Sequence, residues 1–388
     1  MSQVAIPLWL DCDPGHDDAF AILIAAQHPS LNLLGITTIH GNSSLTNTTA
    51  NAGSVLEAIG RPEIPVFPGV SKPYCRPAVH APDIHGVSGL DGTTLLPKAS
   101  RLPITDKNPI LAMRDALLAQ PPDTAWVVAT GALTNVALLF ATFPEVVSHI
   151  KGLSIMGSAV GEGFTDVPMS RLPGEEARIG NTTPWAEFNI YASAYTPLDI
   201  FLFLCDPESS QSILSNSVLA AKTTLIGLDL SHQVLATRSV QERVLGAGSG
   251  GSAKNDLRQM LYELLLFFAG TYSAVFGIDE GPPLHDPVAV AVVLSNLNPE
   301  YAQSNPVSAI KFNDKDGERF AVTVATDGQH GGTVTATGQL GRTIAKPVQG
   351  KGVAIPRGMD TDSFWDLLIS CLERAEKASP LATKSASQ

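Results

Sequence analysis

Apolar runs of strand length alternate with helix-patterned segments from the start of the chain, and this alternation restricts the fold more than any other feature. Val4–Leu10 reads as a buried strand and is followed by a helix from Asp17 to Gln27. Leu33–Ile39 reads as the next strand, and Asn47–Ile59 as a helix that stops at Gly60 before Pro62. A strand at Pro65–Phe67, a helix at Pro109–Ala119, a strand at Ala125–Thr130, a helix from Leu133 and a strand at Leu153–Met156 continue the series. Strands separated by helices pair in parallel through crossovers. The expected fold is therefore α/β: an open, mostly parallel (mixed) Rossmann-like sheet with helices on both faces.

The second half is less regular. Lys222–Leu230 reads as a strand, Asp256–Val275 as a long helix and Asp286–Leu294 as a shorter one. Ala309–Phe312, Phe320–Thr326 and Gly332–Thr337 read as strands or hairpins, with turn chemistry at Asp314–Gly317, and Phe364–Ala375 as a closing helix. No segment of distinct composition separates two domains. The 388 residues are expected to form a single domain with elaborations over 1–377. Gly246–Ser252 (GAGSGGS) marks a flexible loop at 246–254, and 378–388 a disordered tail.

Composition excludes several functions. A net charge of −12 argues against a nucleic-acid partner, because phosphate contacts need a basic surface. The most apolar runs, Ile200–Cys205 and Leu261–Ala269, fall short of the roughly 20 residues that cross a bilayer. The N-terminus has no basic flank and no long apolar stretch, so no signal peptide is read. The four cysteines (Cys12, Cys75, Cys205, Cys371) have neither metal-ligand nor disulfide-framework spacing, which points to a reducing, cytoplasmic setting.

The acids concentrate at one place. Asp11-Cys12-Asp13-Pro14-Gly15-His16-Asp17-Asp18 puts four carboxylates into eight residues directly after the first strand. Ligands bind beyond the carboxyl ends of strands in open α/β sheets, and Pro14-Gly15 supplies the tight turn that folds the acids together. A helix N-cap with solvated acids accounts for one or two aspartates, not for four around such a turn. Four anions so close repel one another unless a cation joins them or protons are retained. Hard carboxylate oxygens as ligands favour Ca²⁺ or Mg²⁺ over zinc, and the spacing is not that of an EF-hand.

Asp11-Cys12-Asp13-Pro14-Gly15-His16-Asp17-Asp18-Ala19-Phe20 resembles the DxDPGxDDA signature of the inosine–uridine nucleoside hydrolases. Further segments with that resemblance follow in order: Gly41-Asn42, His85-Gly86-Val87-Ser88-Gly89-Leu90, Ala129-Thr130-Gly131-Ala132-Leu133-Thr134-Asn135, Ile155-Met156-Gly157, Glu187-Phe188-Asn189 and Pro283-Leu284-His285-Asp286-Pro287. The resemblance implies Ca²⁺-dependent hydrolysis of the N-glycosidic bond of a ribonucleoside, uridine and inosine being the expected substrates. By motif match, Asp13, Asp18, the Thr130 carbonyl and Asp286 would bind calcium, and Asp13 would take the proton of the attacking water. Asp17, Asn42, Asn181, Glu187 and Asn189 would hold the ribose. His285 matches the family's candidate proton donor to the leaving base, and His85 a residue that contacts the base in pyrimidine-accepting members. Met156 is a further candidate for lining the substrate, although methionine at a strand end also serves as core. His16 occupies the variable position of the signature and receives no role. The resemblance also implies a homodimer or homotetramer.

The sequence departs from the family pattern in two places. The loop between Gly161 and Asn181 is longer than the shortest family versions, and its Glu175-Glu176 reads as solvated face. The family runs EFNxxxDPEAA almost without a break, whereas here a stretch near 193–205 separates Glu187-Phe188-Asn189 from Asp206-Pro207-Glu208. Two readings stand: a lineage-specific loop, or a retained intron translated in frame. The second would make the chain a calcium-binding, catalytically impaired relic. A haloacid-dehalogenase-type phosphatase is a further alternative, since Asp11-Cys12-Asp13 imitates its paired aspartates. The Pro14-Gly15-His16 that follows fits that class poorly.

Overall fold

The structure is a computed structural model and describes residues 5–74, 78, 80–191, 207–247, 252–295, 297, 310–326 and 339–382. Six strands, β1 (Ile6–Cys12), β2 (Leu31–Thr38), β3 (Val66–Pro68), β4 (Trp126–Ala129), β5 (Gly152–Met156) and β6 (Thr223–Ile226), form the central sheet in the order β3-β2-β1-β4-β5-β6. Every pairing in it is parallel. Two small antiparallel ribbons lie outside it, β7 (Phe312–Asn313) with β10 (Gly358–Met359) and β8 (Arg319–Val324) with β9 (Thr343–Val348). The mixed character expected of the main sheet is thus absent among its described strands.

Side chains alternate across β1: Leu8 and Leu10 enter one apolar core and Trp9 the other. Helices Asp18–Gln27, Leu45–Ala58, Asp256–Phe276, Asp286–Leu294 and Thr361–Ala375 build the first core, and Pro109–Leu118, Thr134–Thr142 and Pro207–Leu214 the second. Asp18–Gln27 and Asp286–Leu294 are buried around nearly their whole circumference, as the apolar sequences AFAILIAA and PVAVAVVL require. They pack against each other, so the acids at their N-terminal ends arrive side by side. Strand order reverses between β1 and β4, and the carboxyl ends of those two strands form the switch-point crevice in which α/β sheets bind ligands.

Several sequence expectations change in detail. Lys222–Leu230 is not one strand. β6 ends at Ile226, and Leu228–Ser231 is a helical turn, with the Leu228 amide donating to the Ser158 carbonyl (3.0 Å). The closing helix begins at Thr361, where the Asp360 carboxylate caps it by accepting from the Ser363 amide (3.1 Å). Within the expected tail, Ser379 is buried and its hydroxyl donates to the Ala58 carbonyl (2.5 Å). The stretch near 193–205, the expected strand Gly332–Thr337 and most of the 246–254 loop lie outside the described residues.

The helix Asp256–Phe276 is 21 residues long and apolar enough, by length and composition, to cross a membrane, which the shorter apolar run Leu261–Ala269 did not suggest. Its apolar face instead packs into the first core through Leu257, Leu261, Leu264, Leu265 and Phe268. A buried ion pair fixes its first turn. Arg258 donates to Glu376 (Nε to Oε1, 2.8 Å) and from one guanidinium nitrogen to the carbonyls of Arg243 and Val244 (2.9 Å each). It thereby joins three helices. Burial alone would raise the Glu376 carboxyl, but bonds from Arg258, Lys254 and Asn255 outweigh it and hold the group at about 2. Glu376→Gln is expected to cost about 3 kcal/mol, because it strands a guanidinium that is 4% exposed. A group with a depressed folded-state value contributes fully above its unfolded value of 4.5 and loses its contribution as pH falls toward 2. The stability gap between wild type and Glu376→Gln should therefore narrow in acid, which denaturant titrations at pH 7 and pH 3 would read.

Candidate active site

The acids of the signature turn fold back as the Pro-Gly turn demands. Asp11, Asp13, Asp17 and Asp18 are all buried, as is Asp286. One ligand atom from each of Asp17, Asp18 and Asp286 lies within 4.8 Å of the others. Asp18 is held by the Gly15 amide (2.9 Å) and the Asn42 side-chain amide (3.1 Å) on one oxygen, and by the Thr130 hydroxyl (3.0 Å) on the other. Asp13 accepts from the Asn42 backbone amide at 2.6 Å through Oδ2, while its Oδ1 has no partner among the described residues. Gly41 and Gly131 flank it, and a Cβ at either would overlap the Asp13 carboxylate, which explains why glycine stands at both places. Asp17 accepts from the backbone amides of His285 (3.3 Å) and Asp286 (3.4 Å).

Burial without a counter-charge dominates the electrostatics. Asp18 is pushed up to about 7 by desolvation and by the neighbouring Asp17 charge. Asp13 and Asp286 are raised well above the carboxylate range, first by desolvation and then by the adjacent aspartates. An all-oxygen cluster of buried acids, one of them with an unpartnered oxygen, fits a divalent cation. The carboxylates that converge within reach of one ion are Asp17, Asp18 and Asp286: Asp17, expected on the ribose, stands in that group, and Asp13, expected as a ligand, does not.

One cavity collects the remaining predicted residues. Asp17, Asn42, Thr130, Met156, Asn181, Glu187, Asn189, His85, His285 and Asp286 all line it. Asn189 donates to the Thr130 carbonyl (2.8 Å) and to Met156 Sδ (3.2 Å), and Asn181 accepts from the Phe188 amide (2.9 Å). Glu187 accepts from the amides of Ser158, Asn189 and Ile190, yet burial still pushes it up to about 7. Met156 is buried and also belongs to the first core, so both of its expected readings describe it. Glu176 is exposed and Glu175 pairs with Arg178 (2.8 Å).

The structure adds residues that the motifs did not mark. Phe268, Tyr272 and Phe276 line the same cavity as a contiguous set of rings, with centroids 4.8 and 5.2 Å apart. The Tyr272 hydroxyl lies 2.6 Å from His285 Nε2, and Ser231 Oγ lies 2.7 Å from His285 Nδ1. Asn135 donates to Asp11 Oδ1 (2.8 Å), which also accepts from Thr37. Phe268, Tyr272 and Phe276 recur every fourth residue, a spacing that in sequence reads only as a core-facing helix stripe.

With this geometry in place, comparison with known proteins identifies the lineage. The family profile "Inosine-uridine preferring nucleoside hydrolase" matches residues 8–366. The chain is 36% identical over 386 residues to the uridine nucleosidase of Saccharomyces cerevisiae, covering 98% of this chain and 100% of that protein. It is 32% identical to a probable ribonucleoside hydrolase of Dictyostelium discoideum, covering 96% of each chain. Among solved structures, a purine-preferring ribonucleoside hydrolase from Gardnerella vaginalis superposes with a TM-score of 0.70 at 22% identity, over 95% of this chain and 99% of that one, a likeness of fold. The chain belongs to the inosine-uridine preferring nucleoside hydrolase family, metal-dependent enzymes that hydrolyse the N-glycosidic bond of ribonucleosides.

Proposed function

We propose that this protein is a Ca²⁺-dependent ribonucleosidase that releases ribose and free base from uridine and inosine, with Asp13 as general base and His285 serving the leaving base. The observation that carries the reading is the make-up of the cavity lining. Buried carboxylates and amides line it together with a contiguous set of rings, His85, Phe268, Tyr272 and Phe276. Acids and amides suit the vicinal hydroxyls of ribose, and aromatic rings suit a base. The uridine nucleosidase of Saccharomyces cerevisiae, so named, supports uridine as a substrate.

The chain's own groups account for the steps. Asn42 pins one oxygen of Asp13 and leaves the other free to accept a proton from water. Cleavage develops positive charge on the sugar, and the carboxylates of Asp17 and Glu187 at the cavity wall favour it. His285 sits in a chain between Ser231 and Tyr272 that can hold a proton beside the departing base. Calcium, when bound, would acidify water and orient the ribose hydroxyls. Asp17, Asn42, Asn181, Glu187 and Asn189 take the sugar, and His85 and Met156 lie toward the base. By the family resemblance we place the enzyme in the cytosol as a homodimer or homotetramer acting on small nucleosides, one catalytic unit spanning 1–377.

Purified protein incubated with uridine, inosine and cytidine is expected to release reducing sugar, to lose activity in chelator and to regain it with Ca²⁺. Hydrolysis of a generic phosphate ester without ribose release would overturn the reading. Stabilisation by Ca²⁺ with no turnover on any nucleoside would favour the impaired relic and tie the loss to the stretch near 193–205.

A further inference from the structure

The loop between Gly161 and Asn181, longer than the shortest family versions, is an excursion whose two ends meet. Gly161, Glu162 and Gly163 take φ angles of 63°, 53° and 80°, which turn the chain outward. It returns at Ile179, against which a Cβ on Gly161 would clash, and then reaches Asn181 at the cavity. Three anchors fix the loop in between. The Asp229 carboxylate accepts from the amides of Val160 (2.8 Å) and Gly161 (2.9 Å), and the Asp229 carbonyl accepts from the Thr165 hydroxyl (2.9 Å). Arg357 donates to the Phe164 carbonyl (2.6 Å), and its guanidinium lies 3.9 Å from the centre of the Phe164 ring. At the far side the Arg171 amide donates to the Phe276 carbonyl (2.8 Å).

The third anchor bears on the cavity. Phe276 ends the Asp256–Phe276 helix, and its carbonyl is one of the terminal acceptors that a helix cannot satisfy by itself. The loop supplies the donor. Met169, two residues before Arg171, is buried in the first core, so the attachment is packed as well as hydrogen-bonded. The ion pair of Arg171 with Glu280 (2.7 Å) is half-exposed and adds little. The same helix end carries Tyr272 and Phe276, whose rings line the cavity. The Asp229 anchor belongs to the Leu228–Ser231 turn, and Ser231 Oγ reaches the His285 ring from the other side. The loop thus ties two distant elements of the cavity surroundings to each other and to the segment that carries Asn181.

We propose that Arg171 is a positioning residue for the leaving base: through its backbone amide the 161–181 loop holds Phe276 and Tyr272 in register with the sugar-binding residues. The inference deepens the ribonucleosidase reading and rests on it. A shift of about 1 Å in a group that orients substrate costs on the order of 10²-fold in rate.

Arg171→Pro removes the amide donor and leaves every cavity residue in place. Its kcat/KM on uridine and inosine is expected to fall about 10²-fold. Its kcat/KM on p-nitrophenyl riboside should fall less than about threefold, because nitrophenolate leaves without help from groups around a base. Arg171→Ala keeps the amide and loses only the half-exposed ion pair, so it should recover most of the uridine turnover. Replacing residues 163–177 by two glycines excises the loop where its ends meet and should reproduce the split between nucleosides and p-nitrophenyl riboside. Equal losses on all three substrates in Arg171→Pro would mean that the loop supports the whole site, and would overturn the inference. Undiminished nucleoside turnover in that variant, or a loss in Arg171→Ala as large as in Arg171→Pro, would overturn it too. If the excised chain does not fold, the two point variants decide. Wild type that cleaves none of the three substrates would overturn the ribonucleosidase reading together with the inference. Wild type that cleaves them, with no such split in Arg171→Pro, overturns the inference alone.

Discussion

Asp13→Asn is expected to lower kcat on uridine by about 10³-fold, within the range that a positioned general base contributes, with little change in KM. The substitution keeps the shape of the side chain. Its oxygen can still accept the Asn42 amide, now 2.6 Å from Asp13 Oδ2, and the glycines at 41 and 131 leave the same room. What it cannot do is take a proton on the oxygen that is unpartnered in the wild type. A second signature separates this loss from misfolding. In chelator, desolvation and the neighbouring Asp18 charge disfavour ionised Asp13. Removing that charge should raise the melting temperature of the metal-free protein rather than lower it. A kcat within threefold of wild type would sink the assignment of Asp13 and move the base role to another acid of the cluster.

The α/β class and most elements of the first half were readable because their signals are local. Apolar runs, caps and Pro-Gly punctuation place β1, the Asp18–Gln27 helix and the acidic turn within a few residues of where they stand. The second half was less readable for a physical reason. Leu228 and Leu230 continue the apolar run of β6, but the chain turns at Gly227 so that Asp229 can accept from the amides of Val160 (2.8 Å) and Gly161 (2.9 Å). That decision is tertiary and leaves no periodicity. The site divides in the same way. Asp13, Asp18, Asn42 and Asp286 lie in short motifs, whereas Tyr272 and Ser231 contribute through contacts across 13 and 54 residues. His16 falls in the variable position of the signature, and its contact with His85 spans 69 positions. A carboxylate cluster is legible in sequence, but a set of side-chain contacts assembled from distant helices is not.

Asp286→Ala should remove both cation affinity and activity, and the two losses can be followed independently. Asp286 opens the Asp286–Leu294 helix, and its carboxylate shares a 4.8 Å cluster with Asp17 and Asp18. Where a cation binds only the folded state, it stabilises by about 2.7 kcal/mol at a concentration 100 times its dissociation constant. If the lost ligand weakens binding about 100-fold, the same concentration leaves only about 0.4 kcal/mol. The Ca²⁺-induced rise in melting temperature should therefore nearly vanish while the metal-free protein unfolds no earlier than wild type. An ordinary core truncation would do the reverse, lowering the metal-free melting temperature and leaving the calcium increment intact. Burial first, and then the charges of the neighbouring aspartates, disfavour ionised Asp18 and Asp286 in the absence of a cation, so deleting one relieves the others. Asp286→Asn keeps an oxygen donor but not the charge, and should fall between the two, with part of the calcium increment retained. Full calcium stabilisation in Asp286→Ala would place the cation elsewhere and separate this carboxylate from the metal site.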